Sequence, residues 1–210
     1  MERIQGVRLP RTHRPFVAAM KKPVFIAEVK TKSPFGFESE HSCEKLLDIA
    51  VQYGDMVAAY IDPQWGGSHF KLQLAANLAH KNGKLCIAKD IHPQDIDILN
   101  SLFHGADLVL VVGRIPPPEL APVCIWEPSC QNDISYASDH TQKIMWNARN
   151  LETGKSKEES TVYPEKFDTA RWLHKGWMAQ AGFISKPDDV HPKADAFIVG
   201  EHLPTFVKAL

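Results

Sequence analysis

The chain of 210 residues is 44% hydrophobic, which is enough for the core of one compact domain and short of a comfortable length for two. Lysine and arginine total 24 against 25 acidic residues, for a formal net charge of -1, so overall charge does not favour nucleic acid or a membrane surface as a partner. No apolar stretch approaches the roughly 20 residues that a membrane helix requires.

Cysteine and histidine usage argues against a disulfide-bonded secreted protein and against a metal-binding protein. The four cysteines, at positions 43, 86, 124 and 130, form no CxxC pair, and no signal peptide precedes them. We therefore expect reduced thiols and a cytoplasmic protein. The ten histidines are scattered singly, without the spacing of a metal-binding motif, so we expect no metal site.

Eight short runs rich in valine, isoleucine and alanine follow one another along the chain. Most are continuously apolar rather than alternating, which is typical of parallel strands that are covered on both faces. The runs are PVFIAEV (23–29), MVAAYI (56–61), LCIAK (85–89), ADLVLVV (106–112), VCIWE (123–127), KIMWN (143–147), WMAQ (177–180) and ADAFIVG (194–200).

Helical patterns lie between many of these runs, and each can lay one apolar stripe on a sheet. Weaker patterns cover 164–174 and 203–209, and Pro93 suits the first turn of the third helix. Repeated alternation of strand and helix predicts a single (β/α)₈ TIM barrel over residues 1–210, with 1–22 as a short N-terminal extension. The three stronger stripes are Cys43, Leu46, Leu47 and Ala50; Leu72, Ala75, Ala76 and Ala79; and Ile96, Leu99 and Phe103.

Two connections depart from the repeat. Three consecutive prolines, residues 116–118, follow the fourth run and cannot lie inside a helix, so the helix after strand 4 should be shortened or missing. The polar stretch 152–164 follows the sixth run and predicts a flexible loop.

Polar residues and glycines end six of the eight runs. In a TIM barrel the C-terminal strand ends build the active site, so these residues should converge on one mouth. A buried lysine at position 89 is costly unless a partner or a substrate uses its charge. The residues in question are Glu28, Lys30, Lys89, Asp90, Glu127, Asn147, Arg149, Gln180, Gly182 and Gly200.

Alternation along a strand predicts which way these side chains point. Glu28 and Lys30 should share the inward face while Val29 packs outward. The same alternation turns Trp126 and Trp146 toward the helices, and we interpret Trp172 and Trp177 as core residues as well. Trp65, which precedes two glycines in the loop after the second run, is a candidate lid residue.

Five motifs, in order and at the expected barrel positions, resemble the indole-3-glycerol phosphate synthase family. They are EVKTKSP (28–34), AKD (88–90), NARNL (147–151), AGF followed by KPDDV (181–190) and ADAFIVGEHL (194–203), and the likeness extends from residue 22 to the end. The resemblance implies a lyase of tryptophan biosynthesis without a cofactor. Its substrate would be a small phosphorylated molecule, 1-(2-carboxyphenylamino)-1-deoxyribulose 5-phosphate, whose indole ring closes with loss of CO₂ and water.

The resemblance also implies roles for individual residues. Lys89 resembles the general acid, and Glu127 and Glu28 resemble the carboxylates that move protons during dehydration. Lys30 resembles the lysine that orients the substrate carboxylate. Further substrate contacts would come from Lys32, Ser33, Asn147, Arg149 and Gln180, and the phosphate site from Gly182, Gly200 and Glu201.

Several departures from the family leave alternatives open. The chain reads Gln180-Ala181-Gly182 where the family usually has Glu-Ser-Gly, and Ile91 replaces a phenylalanine. One alternative is a divergent barrel that is a pseudoenzyme or regulatory subunit, or that acts on another phosphorylated ligand. A homo-oligomer or a partner subunit could then cover the missing fourth helix. Another is a barrel in which Lys89 forms a Schiff base.

Overall fold

Eight parallel strands close into a barrel, each strand pairing with the next along the chain and the eighth with the first, which confirms the predicted (β/α)₈ TIM barrel. The computed structural model describes residues 3–4, 7–8, 14, 16, 23–137, 143–159 and 165–210. The strands are, from first to eighth, Val24–Val29, Met56–Tyr60, Leu85–Lys89, Leu108–Val112, Cys124–Glu127, Lys143–Asn147, Trp177–Ala181 and Ala196–Val199.

Helices of very different length surround the barrel. The two longest begin at serine caps, since Ser42 accepts a hydrogen bond from the backbone N–H of Lys45 and Ser68 from that of Lys71. The helices are α1 (Cys43–Tyr53), α2 (His69–Lys81), α3 (Asp95–Phe103), α4 (Gln131–Ala137), α5 (Phe167–Leu173) and α6 (Leu203–Phe206), with single 3₁₀ turns at Pro63–Trp65, Ala121–Val123, Pro187–Asp189 and Val207–Ala209.

The fourth helix of the repeat is missing, as the sequence predicts. Between the fourth and fifth strands the chain forms only the 3₁₀ turn Ala121–Val123. The prolines at 116–118 lack the N–H groups that a helix needs, so an extended path replaces the helix.

Alternation along the strands sorts side chains into an inner and an outer layer. Trp126 and Trp146 are fully buried in the outer layer, beside Phe167 of α5, which confirms their predicted direction. Val29 likewise packs outward against α1. The inner layer is filled by Val24, Ile26, Met56, Ala58, Leu85, Ile87, Leu108, Leu110, Ile125, Met145, Trp177, Ala179, Ala181, Ala196 and Ile198.

The predicted orientation of α3 is wrong for two of its three residues, since only Leu99 is partly buried and packs against the core. Ile96 and Phe103 are exposed, and the side chains that face the sheet are Ile98, Ser101 and Leu102. The helix carries apolar residues on two faces, and the pair at i and i+4, Ile98 and Leu102, is the one that packs on the strands. Its start is also later than expected, because α3 begins at Asp95 and leaves the proline at 93 outside the helix.

Two further expectations need correction. Trp172 is not a core residue, since 71% of its surface is exposed, whereas Trp177 is buried as predicted. The sequence patterns also gave no helix after the fifth strand, where α4 forms. The only buried side chain among the described ones of α4 is Ile134, so the segment has no apolar stripe to reveal it.

Two residues of the N-terminal extension, Arg14 and Phe16, contact the end of the barrel where the strands begin. Phe16 packs edge-on against Trp177, with ring centroids 5.4 Å apart. Arg14 donates its backbone N–H to Asp107, just before the fourth strand. Residues 3–4 and 7–8 form a two-strand antiparallel pair. The rest of the predicted extension, and residues 160–164 of the predicted loop, lie outside the described residues. No helix in the described part of the chain is long and apolar enough to cross a membrane.

Candidate active site

A cavity of about 290 Å³ opens at the end of the barrel where the strands finish. Its wall combines three basic and four acidic side chains with aromatic and aliphatic groups. The residues that line it include Glu28, Lys30, Tyr60, Trp65, Lys89, Asp90, Ile91, Glu127, Asn147, Arg149, Ala181, Gly182, Phe183, Gly200 and Glu201.

Lys89 and Glu28 form a buried ion pair in this cavity. The Lys89 Nζ lies 3.1 Å from the Glu28 Oε2, and the two residues are 7% and 5% exposed. The hydroxyl of Tyr60 donates a hydrogen bond of 3.2 Å to the other oxygen of Glu28. Each of these residues lies on the first, second or third strand, an even number of positions after a side chain of the inner layer. Side chains alternate along a strand, so all three face inward.

The charge state of this pair follows from its surroundings. Burial by itself lowers the pKa of Lys89, but the Glu28 carboxylate, together with Tyr60 and Glu127, outweighs burial and raises the pKa above the ordinary lysine value. Burial is also the main reason that the pKa of the Tyr60 hydroxyl is raised. Lys89 is therefore an ammonium at neutral pH, and Tyr60 is a neutral donor.

Glu127 and Asn147 meet across the fifth and sixth strands. The Asn147 Nδ2 donates to the Glu127 Oε1 at 2.9 Å, and the Asn147 Oδ1 accepts from the backbone N–H of Arg149 at 3.0 Å. The second oxygen of Glu127 is buried and has no hydrogen-bond partner among the described residues. A buried carboxylate oxygen with unused acceptor capacity is suited to taking a proton from a ligand.

Lys30 and Arg149 share one carboxylate. The Lys30 Nζ lies 2.6 Å from the Glu201 Oε1, and the Arg149 guanidinium lies 3.1 Å from the Glu201 Oε2. Burial raises the pKa of Glu201, but hydrogen bonds and charge from Lys30 and Arg149 outweigh that effect and lower it. Glu201 is thus an anion that bridges the first strand and the loop after the sixth.

Aromatic rings cover part of the mouth. Trp65 stacks on Tyr60 with centroids 5.1 Å apart and ring planes within 5°. The Lys30 Nζ lies 4.7 Å from the centre of the Trp65 ring, and the Arg149 guanidinium lies 4.8 Å from that of Phe183. Such contacts hold the two cations against flat apolar surfaces. Ile91, which is 53% exposed, lines the mouth where the family has a phenylalanine.

Two glycines bring the backbone close to the cavity. A Cβ at position 200 would collide with the Glu28 carboxylate, and one at position 182 would lie 2.7 Å from the Asn147 Oδ1. Gly182 also has a φ of +84°, which side chains other than glycine rarely adopt. A side chain at either position would therefore require its neighbours to move.

The structure does not bring every predicted site residue to the cavity. The Gln180 side chain points out of the barrel, where its Nε2 donates to the Asp189 carbonyl at 3.0 Å and its Oε1 accepts from the backbone N–H of His191 at 2.7 Å. The prediction that Gln180 contacts substrate is therefore corrected. Its neighbour Ala181 takes the inward position, because side chains alternate along the seventh strand.

Lys32 and Ser33 also lie away from the cavity wall. Lys32 is exposed and pairs with Glu38 across an antiparallel bridge. The Ser33 hydroxyl accepts hydrogen bonds from the backbone N–H groups of Phe35 and Phe37, at 3.3 and 3.4 Å. Both residues shape the loop after the first strand, and neither contacts the cavity in this conformation.

Sequence reasoning missed Tyr60, which belongs to the second strand. Its position has the same parity as Met56 and Ala58, so alternation from those residues would have placed it inward. Phe183 carried no such signal, since its φ of +55° turns the chain just after the strand ends. No group of three or more His, Cys, Asp or Glu side chains in the described ranges could hold a metal ion.

Comparison with known proteins supports the fold. No protein-family model matches the chain, and no curated sequence does. The structure of the citrate synthase SbnG is similar with a TM-score of 0.61 at 12% identity, over 84% of this chain and 85% of that chain. A 3-hexulose-6-phosphate synthase matches with a TM-score of 0.58 at 13% identity, over 87% and 99% of the two chains.

A third similar structure is the thiamine phosphate pyrophosphorylase from Pyrococcus furiosus, with a TM-score of 0.57 at 11% identity, over 88% of this chain and 90% of that chain. None of these three is an indole-3-glycerol phosphate synthase. At such identities the likeness establishes the TIM-barrel fold, and the activity must be argued from the site.

Proposed function

We propose that this chain is an indole-3-glycerol phosphate synthase-like lyase, which closes the indole ring of 1-(2-carboxyphenylamino)-1-deoxyribulose 5-phosphate with loss of CO₂ and water. The observation that carries the proposal is the buried Lys89–Glu28 pair facing the same cavity as Glu127 and Asn147. The matching motifs support it, and the cavity volume of about 290 Å³ is at the lower end of ligand sites.

Ring closure begins at the substrate ketone. The aromatic carbon that bears the carboxylate attacks the keto carbon, and the keto oxygen takes a proton from the Lys89 ammonium as it becomes a hydroxyl. Loss of CO₂ returns an electron pair to the ring and restores its aromaticity. The raised pKa keeps Lys89 charged without substrate, so the ammonium stabilises the negative charge that develops on the keto oxygen, and its proton moves only once that oxygen has become strongly basic.

Dehydration then forms the second double bond of the new ring. The adjacent carbon loses a proton, and the same proton is passed on to the hydroxyl, which leaves as water. Glu127 accepts that proton on its unpaired oxygen, while Asn147 holds the other oxygen in place. The reaction consumes one proton overall, which solvent returns to Lys89, while Glu28 holds the amine in place.

The phosphate of the substrate belongs at the other side of the cavity. Lys30 and Arg149 supply positive charge there, and the backbones of Gly182 and Gly200, which border Asn147 and Glu28, leave room for the ligand to approach the main chain. Two of the similar structures bear the names of phosphate-handling enzymes, a hexulose-phosphate synthase and a thiamine phosphate pyrophosphorylase, which is consistent with a phosphorylated ligand.

A second candidate is a barrel that acts on another phosphorylated ligand or has become a pseudoenzyme or regulatory subunit. The observation that favours it is at the seventh strand, where Gln180 faces away and Ala181 offers no hydroxyl. A partner subunit over the missing fourth helix stays part of this candidate, beside the exposed Ile96 and Phe103. A Schiff-base mechanism is less well supported, because it needs a neutral amine and the pKa of Lys89 is raised.

The test is turnover of the ribulotide by purified protein, followed by the fluorescence of the indole product. We expect product from the natural chain and none from the Lys89→Met variant. Saturable binding of the ribulotide, measured calorimetrically, without any product would reject the lyase and favour the second candidate.

A further inference from the structure

Glu201 occupies the part of the cavity that the proposed function assigns to the substrate phosphate. It directly follows Gly200, and its two carboxylate oxygens each contact a different cation, Lys30 at 2.6 Å and Arg149 at 3.1 Å. A ligand anion that used the same two cations would meet this carboxylate at close range. Two anions cannot share that space without a strong repulsion.

The charge balance of this corner sets a condition on the ligand. Lys30 and Arg149 bring two positive charges and Glu201 one negative charge, and the neighbouring Lys89–Glu28 pair is neutral as a whole, so the net charge around the two cations is only one. A monoanion that displaced the carboxylate would merely replace one negative charge by another. A dianion neutralises both cations, and therefore gains more from the exchange.

Glu201 also has a route out of the corner. Its side chain is 18% exposed, against 6% for Lys30, and it lies in a turn beyond the end of the eighth strand rather than within the strand. Rotation of its side chain would move the carboxylate toward solvent while the barrel strands stay in place. The two cations are held by aromatic contacts, to Trp65 and Phe183 respectively, that do not involve Glu201.

We infer that Glu201 is a displaceable internal counter-ion, which occupies Lys30 and Arg149 in the ligand-free protein and admits dianionic groups such as phosphate in preference to monoanions. The inference rests on the proposed phosphate end of the cavity, but not on the lyase chemistry. Glu201 is in this sense a specificity-determining residue.

Anion binding tests the inference without the ribulotide. Sulfate is the probe, because it is a dianion across the neutral pH range, and calorimetry measures its dissociation constant. Removing the competing charge in Glu201→Gln should tighten sulfate binding about tenfold. Glu119→Gln makes the same change in net charge on the exposed surface, in the loop that leads to the opposite end of the barrel, and should leave sulfate binding unchanged.

The charge-preserving variant Glu201→Asp separates charge from packing. It should bind sulfate within about threefold of the natural chain, since one carboxylate still competes for the cations. A gain in Glu201→Asp equal to that in Glu201→Gln would overturn the inference, as would unchanged or weaker sulfate binding in Glu201→Gln. Weaker sulfate binding in Glu201→Gln would mean that the carboxylate positions Lys30 and Arg149 for the anion.

A crystal structure with sulfate gives a second readout. We expect the ion on Lys30 and Arg149, with the Glu201 carboxylate moved out of contact with the lysine. Sulfate on both cations with the Lys30–Glu201 contact intact would contradict displacement. These results are independent of turnover, so failure of the lyase assay with displacement observed would remove the proposed activity and leave the role of Glu201.

Discussion

Different parts of the backbone set the direction of the side chains on the two sides of the cavity. On the proton-transfer side, formed by Glu28, Lys89 and Glu127, each side chain comes from a strand end and points inward in register with the core below it. On the proposed anion side, formed by Lys30, Arg149 and Glu201, every residue lies beyond the end of a strand, where loop conformation sets its direction.

This difference determines how a substitution acts on each side. A strand-end side chain is fixed by the pleat, so a change of residue type there changes the chemistry directly. A loop can supply the same charge from another position. Glu201 provides a carboxylate inside the cavity from such a loop, whereas the side chain of Gln180, within the seventh strand, faces outward.

The largest expected effect comes from the proton-transfer side. Lys89→Met should lower kcat by about a thousandfold or more while leaving ligand binding within about tenfold, because the ammonium acts mainly on charge that develops during reaction. Lys81→Met, an exposed change at the end of α2, is the matched control. Steady-state kinetics and calorimetry measure both quantities. A variant that kept half its rate would remove Lys89 from the mechanism.

The second effect concerns the proton acceptor. Glu127→Gln keeps the shape of the side chain and an oxygen that can accept from Asn147, but it removes the base, so kcat should fall roughly a hundredfold. Thermal unfolding should show little loss of stability, since the packing is conserved. If KM rose and kcat did not change, Glu127 would bind substrate instead of accepting a proton.

Tyr60→Phe gives a smaller effect on the same side. Phenylalanine keeps the stack on Trp65 and loses only the hydrogen bond to Glu28, so kcat should fall about three- to tenfold. Tyr53→Phe, at an exposed position in α1, serves as the control. Unchanged kcat with a raised KM would show that the hydroxyl contacts the ligand and does not position Glu28.

The smallest expected effects come from two neighbouring residues of the seventh strand, one of which faces the cavity and the other the outside of the barrel. Ala181→Ser places a hydroxyl inside the cavity and should lower KM for the phosphorylated substrate by about two- to tenfold. Gln180→Glu should give no gain, because the side chain faces outward. It should lower the free energy of unfolding by ~1–3 kcal/mol, since a carboxylate cannot donate to the Asp189 carbonyl.

Kinetics and chemical denaturation of the two variants separate these outcomes. A rise in activity with Gln180→Glu alone, and none with Ala181→Ser, would show that the seventh strand turns in solution so that residue 180 enters the cavity.

Much of the fold could be predicted from the sequence because parallel strands and their alternation leave a clear pattern. The same alternation placed Glu28 and Lys30 inward and Trp126 outward. The missing fourth helix followed from the covalent geometry of three prolines.

The remaining features depended on information that the pattern does not contain. The segment of α3 carries apolar residues on two faces, so only packing decides that Ile98 and Leu102 are buried. Gln180 was assigned to the site because it ends the seventh run and matches a motif position, although its place next to the inward Ala179 already implied the opposite direction. The bridge from Glu201 to Lys30 joins residues 171 positions apart, and no local signal indicates it.

The most direct test of the central claim is release of labelled CO₂ in a single turnover. The ribulotide is labelled in its carboxylate and mixed with an excess of the purified protein. We expect one labelled CO₂ for each substrate bound, together with the indole product, and no release from Lys89→Met. Complete binding of the substrate without labelled CO₂ would contradict the assignment of Lys89, Glu28 and Glu127 to this chemistry.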